Sequence, residues 1–293
     1  MRSLLFVPGD SERKIAKGLA SGADALILDL EDAVAEDRKE GARGLCAEVL
    51  AAADGKKPLF IRINPLETAQ ALPDLAAVTR WRPFGIMLPK CLGAADIQQI
   101  GSYLSALEAR DDLPIGGITI LPIITETATA MLGLSNYARQ PAGRVYGMLW
   151  GGEDLASDIG ARANRDGEGR YTPTYEFART QCLLAASAAS VKPIDAVYTD
   201  FRNLDGLREE AEIAARDGFV GKAAIHPDQV HIINQAFTPT EIQLNWARRV
   251  VAAFVASGAG VAALDGRMLD RPHHRAALEI LSRAAVIQDT PGK

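Results

Sequence analysis

The chain has 293 residues, 48% of them hydrophobic, which is enough for a large core, and its three cysteines are too scattered for a disulfide framework or a thiolate metal site. The net charge of −5, with lysine and arginine dispersed, offers no basic face for a phosphodiester backbone or an anionic bilayer, which argues against nucleic acid and membrane partners. The N-terminal apolar stretch is too short for a signal peptide, and the longest later apolar run, 250–264, contains glycine and falls short of a span, so the expected location is the cytoplasm.

The first predicted strand, SLLFVPG (3–9), closes on Pro-Gly, and Asp10 or Ser11 then suits the cap of a first helix. ALILDLED (25–32) is a second strand, ending in Asp29, Glu31 and Asp32. LFIRIN (59–64) ends in Arg62 and Asn64, GIMLPK (85–90) in Lys90, and ITILPIIT (118–125) runs directly into Glu126. VYGMLWGG (145–152) leads into Glu153 and Asp154, AVYTDF (196–201) carries Asp200 and is followed by Arg202, and GKAAIHP (221–227) holds His226. Ala/Leu/Glu/Arg-rich segments of helical period separate these runs, so a βα unit recurs every roughly 25–35 residues.

Eight such units, with strands apolar on both faces, fit an α/β fold of the closed (β/α)8 TIM barrel type better than an open sheet, and no glycine-rich dinucleotide fingerprint follows the first strand. Beyond the eighth strand, TPTE (238–241) predicts a helix start with Thr238 as cap, Pro239 at the first helical position and Glu241 completing a capping box. That eighth helix would run to about Gly258. The expected organisation is a catalytic barrel over 1–258 and a C-terminal helical extension over 259–293. The segment 265–284, which a closed barrel does not need, suits a lid or a contact with a neighbouring subunit.

Chemistry in such barrels collects at the C-terminal ends of the strands, and here carboxylates dominate those ends. Several carboxylates converging on one mouth repel one another unless a cation sits among them. Oxygen ligands without clustered His or Cys favour Mg²⁺ or Mn²⁺. For any single carboxylate the alternative is a helix cap or an ion pair with arginine. Arg62 can grip a substrate carboxylate in a bidentate way, or pair with an Asp or Glu of the chain. Lys90 could form a Schiff base only with a depressed pKa, and the surrounding acids favour an ion pair instead. His226 suits the orientation of a loop.

The phrases LLFVPGD, ADALILDLEDAV, IRIN, LPK, ITETA, GGEDLASDIGA, IDAVYTDFRNLDGL, GFVGKAAIHPDQV and DGRMLD occur in an order that resembles the citrate lyase β-subunit and malyl-CoA lyase family, within the HpcH/HpaI aldolase superfamily. The resemblance covers nearly the whole chain. It implies a Mg²⁺-dependent carbon–carbon lyase acting on a CoA thioester, with Glu126 and Asp154 as metal ligands and Glu31 and Asp32 supporting the metal's waters. It also implies Arg62 on the acid substrate, Gly151 and Gly152 admitting backbone N–H groups to its carboxylate, and Asp270 as the acid/base group. In several relatives that Asp reaches a neighbouring subunit's site, which implies a homo-oligomer, a trimer or hexamer. Glu153 adds an acid beside Asp154, so Glu153 and Asp158 are possible substitutes as ligands. Within the resemblance, a short-chain pyruvate aldolase acting on a free 4-hydroxy-2-oxo acid, a malyl-CoA thioesterase and a citrate lyase subunit with an acyl-carrier partner remain open. A non-catalytic CoA-binding module is the reading from a different class.

Overall fold

The run ALILD at 25–29 has all five side chains buried, so it requires cover on both faces and a neighbour on each edge. The structure, a computed structural model, describes residues 1–139, 143–258 and 260–288. Among them are eight parallel strands: β1 (Ser3–Pro8), β2 (Ala25–Asp29), β3 (Leu59–Arg62), β4 (Gly85–Leu88), β5 (Thr119–Pro122), β6 (Gly147–Leu149), β7 (Lys192–Asp195) and β8 (Gly221–Ala224). They pair in the order β5-β4-β3-β2-β1-β8-β7-β6. The seam between β5 and β6 is bridged at Ile120 to Val145 and at Ile123 to Leu149, which closes the (β/α)8 barrel.

The helices of this part are α1 (Glu12–Ala20), α2 (Lys39–Ala52), α3 (Ala71–Val78), α4 (Ala94–Arg110), α5 (Ala128–Gly133), α6 (Gly152–Asp158), α7 (Pro173–Ala188), α8 (Leu204–Asp217) and α9 (Pro227–Ala236). Alternate strand residues, among them Leu4, Ile27, Phe60, Met87, Leu121, Leu149 and Ile194, fill the barrel interior. Near the strands' N-terminal ends Phe60, Phe84 and Tyr146 pack edge to face, with centroids 5.1–5.7 Å apart. All three cysteines are buried and free, and burial pushes the Cys46 and Cys91 thiols up to about 12.

Strand seven differs from the expectation. It occupies Lys192–Asp195 rather than 196–201, because Pro193 needs no N–H in this ladder and its carbonyl accepts from Val220 at 3.0 Å. The carboxylate at the end of that strand is therefore the buried Asp195, whereas Asp200 and Arg202 lie exposed in the following turn.

The chain divides into two compact units, Met1–Asn234 and Gln235–Lys293. The second contains α10 (Glu241–Ser257), the hairpin β9 (Ala262–Leu264) and β10 (Arg267–Leu269), and α11 (Arg271–Gln288). Its core joins Ala247, Val250 and Phe254 of α10 with Ala262, Leu269 and Ala277, so α10 groups with the extension and the division falls earlier than 258. The capping box sits two residues later than expected: Thr240 caps α10, with Gln243 reciprocating. Ser11 stands at the N-cap of α1, but its side chain makes no capping hydrogen bond. Among the described residues no helix is long and apolar enough to cross a membrane.

Candidate functional site

At the end of β3, Arg62 turns its fork onto Asp29 at the end of β2: Nε donates to Oδ1 at 2.7 Å and Nη2 to Oδ2 at 2.6 Å. Asp29 also accepts the N–H groups of Glu31 (2.9 Å) and Ala33 (3.1 Å), which folds the acidic loop after β2 over the strand ends. The bidentate face of Arg62 is thus spent inside the protein, and a substrate carboxylate could meet only its outer N–H groups. Nη1 contacts Glu31 Oε2 at 2.9 Å without hydrogen-bond alignment, and the guanidinium lies 4.9 Å from the Phe6 ring centroid. Burial disfavours the charge of Arg62, but Asp29 and Glu31 outweigh that and raise its pKa.

Lys90 follows β4 with φ at 49°, a left-handed conformation that a non-glycine residue adopts only when its surroundings demand it. Three contacts hold it there. The backbone N–H donates to Glu126 Oε2, and the ammonium reaches Glu31 Oε1 at 2.5 Å and Asp154 Oδ1 at 3.3 Å. Burial would lower its pKa, but these carboxylates more than offset burial and hold the amine protonated. Lys90 is an ion-pair residue, not a Schiff-base nucleophile. Glu31 is 4% exposed, and its pKa is raised by burial despite Arg62 and Lys90. Asp32 is mostly exposed, 3.9 Å from Lys90 and 4.0 Å from Arg62.

Glu126, the carboxylate that ends the β5 run, is 2% exposed. Burial and then the neighbouring Asp154 push its pKa well above the usual carboxylate range. Asp154 lies in the first turn of α6. The other two acids of that helix are committed elsewhere: Glu153 accepts from Asn164 Nδ2 at 2.7 Å, and Asp158 accepts the N–H of Ala128 at 2.7 Å, at the start of α5. Gly151 is required here, because a Cβ would lie 2.6 Å from Glu126 Cγ. Its N–H is not open to a ligand, since it donates to Thr125 Oγ1 at 3.0 Å; the N–H groups of the α6 first turn, beginning at Gly152, are the ones left over.

Glu126, Asp154, Arg62, Gly151 and Gly152 line one cavity of ≈ 280 Å³, walled also by Trp150 and Tyr171. Two carboxylates in one cavity, with Glu126 desolvated and its ionisation made more costly by Asp154, form an anionic pair suited to a divalent cation. No cluster of three or more His, Cys, Asp or Glu with metal-holding geometry occurs among the described residues. Carboxylate oxygens without histidine or cysteine beside them are the donor chemistry of Mg²⁺ or Mn²⁺ and not of a zinc site.

The model of the HpcH/HpaI aldolase/citrate lyase family matches residues 2–227. The chain belongs to this family. It is 36% identical over 290 residues to a (3S)-malyl-CoA thioesterase of Cereibacter sphaeroides, covering 98% of this chain and 95% of the relative. It is 34% identical over 301 residues to the mitochondrial citramalyl-CoA lyase of Rattus norvegicus, covering 98% and 87%. Among solved structures it is similar to protein CitE of Mycobacterium tuberculosis in complex with magnesium, acetoacetate and coenzyme A, with a TM-score of 0.78, 33% identity and coverage of 97% of this chain and 98% of that one.

For a member of the HpcH/HpaI family, the acid/base candidate Asp270 stands apart in the chain: it belongs to the second unit, at the N-cap of α11. There it is exposed, with Oδ1 2.5 Å from His273 Nδ1. His226 is half exposed in the loop after β8, stacked on Phe201, with Nδ1 accepting the Asp228 N–H at 3.3 Å. Sequence reasoning missed Asp29 as the anchor of Arg62, the Trp150 and Tyr171 walls, and the buried acid Asp195. A signal for the last existed: Lys222 is a charge inside the apolar run GKAAI, and a buried strand lysine demands a buried acid.

Proposed function

We propose that the chain is a Mg²⁺-dependent carbon–carbon lyase that cleaves a 3-hydroxyacyl-CoA thioester carrying a carboxylate on its hydroxyl-bearing carbon into a 2-oxo acid and acetyl-CoA, or joins them. Malyl-CoA, citramalyl-CoA and citryl-CoA are substrates of this form. The observation that carries this reading is the carboxylate pair Glu126 and Asp154 facing one cavity with Arg62, while the amine that pairs with Asp154, Lys90, is held protonated by ion pairs.

Glu126 and Asp154 hold the cation, with Mn²⁺ an acceptable replacement. When bound, it supplies Lewis-acid stabilisation of the oxygen charge that develops as the carbon–carbon bond breaks. Glu31 and Asp32, which pair with Lys90 and Arg62 beside that site, would orient the cation's waters. The outer N–H groups of Arg62 and the first-turn N–H of Gly152 orient the acid end of the substrate. Asp270, supplied by a neighbouring copy in a trimer or hexamer, gives a proton to the terminal carbon of the departing thioester enolate and removes it in the condensation direction. A CoA-thioester substrate accords with a cytoplasmic enzyme.

The second reading is thioester hydrolysis, favoured by the similarity to the malyl-CoA thioesterase. Product analysis by mass spectrometry separates the two. Incubation with malyl-CoA, citramalyl-CoA, citryl-CoA and free 4-hydroxy-2-oxo acids, with Mg²⁺ or with chelator, should yield acetyl-CoA and a 2-oxo acid from one thioester in a Mg²⁺-dependent way. Free CoA and the intact hydroxy acid would establish the thioesterase, and cleavage of only the free acids would establish the pyruvate aldolase. Binding of CoA with no turnover of any substrate would leave a binding module.

A further inference from the structure

Behind the cavity wall lies a set of buried charges that the proposed reaction does not use. Asp195, fully buried at the end of β7, accepts from Trp150 Nε1 at 2.7 Å, Arg179 Nε at 3.0 Å and Lys222 Nζ at 2.8 Å. Lys222, also fully buried, reaches Glu210 at 2.8 Å, and Glu210 pairs with Arg165 at 2.7 Å. The Arg165 guanidinium lies 3.7 Å from the centroid of the Tyr171 ring, and Tyr171 packs edge to face on Trp150 at 4.9 Å. The contacts close a ring: Trp150, Asp195, Lys222, Glu210, Arg165, Tyr171 and back to Trp150.

Stability does not explain this ring, because exchanging a buried ion-pair set for apolar side chains of similar volume is often neutral or stabilising. Its placement does. Trp150 directly precedes the Gly151–Gly152–Glu153–Asp154 turn, and both aromatic rings line the cavity. The same turn is tied to the segment bearing Glu126 by two hydrogen bonds, Ile124 N–H to the Leu149 carbonyl at 2.9 Å and Gly151 N–H to Thr125 Oγ1 at 3.0 Å. Fixing the indole therefore fixes the chain from which Asp154 projects, against the chain that carries Glu126.

We infer that Asp195 is a positioning residue for the cation site, acting through the Trp150 indole N–H, and that the Lys222–Glu210–Arg165–Tyr171 arc holds the indole from its other side. This rests on Glu126 and Asp154 as the ligand pair. Loss of a group that hydrogen-bonds a ligand changes metal affinity by about 10–100-fold, and Trp150 and Asp195, which act one contact further back through the chain, belong at the lower end of that range.

The test measures Mn²⁺ affinity by electron paramagnetic resonance, and melting temperature, on the full chain. Trp150→Phe keeps an aromatic wall and removes only the N–H link; it should weaken Mn²⁺ binding about tenfold or more. Lys222→Met, two contacts from the indole and outside the cavity lining, should weaken it in the same direction. Arg144→Met, which breaks a comparably buried pair with Glu108 outside the ring, should lower the melting temperature and leave Mn²⁺ affinity unchanged. In protein labelled with 5-fluorotryptophan, the Trp150 resonance, assigned by its loss in Trp150→Phe, should shift on adding Mg²⁺ and should already be displaced in Asp195→Asn. Wild-type Mn²⁺ affinity in folded Trp150→Phe, or equal losses in Arg144→Met, overturns the inference. Wild-type protein that binds no Mn²⁺ overturns the inference together with the assigned ligand pair. Protein that binds Mn²⁺ and shows the predicted variant effects but cleaves no thioester supports the inference and overturns only the reaction.

Discussion

Asp154 and Asp158 sit four residues apart on α6, and their partners separate them. Asp154 faces Lys90 in the cavity mouth, while Asp158 takes the Ala128 N–H. Asp154→Asn should therefore reduce Mg²⁺ affinity by at least tenfold, and Asp158→Ala should cost only the stability of a lost N-terminal contact, about 0.5–2 kcal/mol, with metal affinity retained. Calorimetric titration of Mg²⁺ into both variants checks this; retained affinity in Asp154→Asn would pass the ligand role to Glu153. Glu126 adds a pH dependence with a definite sign. Its folded pKa is raised by burial and by Asp154, so without metal it favours the folded state while protonated, at low pH. That contribution is lost as pH rises through the raised value, above the ordinary glutamate range, and a cation binds the ionised form that appears there. The melting-temperature gain produced by Mg²⁺ should accordingly grow as pH rises above the ordinary glutamate range, and Glu126→Gln should flatten the trend. A gain that shrinks with pH would contradict the assignment.

At the scale of elements, the site depends on how two strand-end segments pass each other. The turn after β6 runs so close to Glu126 that Gly151 has no room for a methyl group. Gly151→Ala should displace Glu126 and abolish metal binding while the barrel still melts cooperatively; Mg²⁺ titration followed by thermal melting tests it, and near-normal Mg²⁺ affinity would show that the Glu126 side chain can swing aside. Much of this arrangement was legible in the sequence. Runs such as LLFVP, ALILD and TILP are apolar on both faces and stop at polar residues, so period and punctuation alone located β1, β2 and β5 and put Glu126 at a strand end. What escaped was non-local. β7 carries Lys192 and Pro193, which look like breakers and are tolerated only because the neighbouring strands ask for no N–H from Pro193. TPTEIQ contains two overlapping capping patterns, and the choice of Thr240 over Thr238 reflects where α10 begins to pack. Asp29 was legible as a strand-end acid, but its partner Arg62 lies 33 residues away, and no local pattern encodes that pairing.

At the scale of the whole molecule, the residues of the proposed reaction are divided between two units: Glu126, Asp154 and Arg62 belong to Met1–Asn234, whereas Asp270 belongs to Gln235–Lys293. Asp270 is exposed, its carboxylate lies against His273, and Leu269 beside it anchors the hairpin core of its own unit. Nothing in that unit's packing requires an acid at 270, so Asp270→Asn should leave Mg²⁺ affinity and melting temperature near those of the wild type. Turnover should fall by roughly 10²–10⁴-fold, the range for a lost general acid or base. If the group acts on a neighbouring copy, two separately inactive proteins, Asp270→Asn and Glu126→Gln, should recover activity once their subunits exchange. With random assembly of equal amounts, about one site in four joins an intact Glu126 to an intact Asp270 from the next chain, which sets the ceiling near a quarter of wild-type activity. Mass spectrometry of the intact oligomer confirms the exchange and counts the subunits in the same experiment. Exchange without recovery would place the acid/base group within its own chain, and normal turnover of Asp270→Asn would remove it from the mechanism, leaving the metal site and Arg62 to account for the reaction with another proton donor.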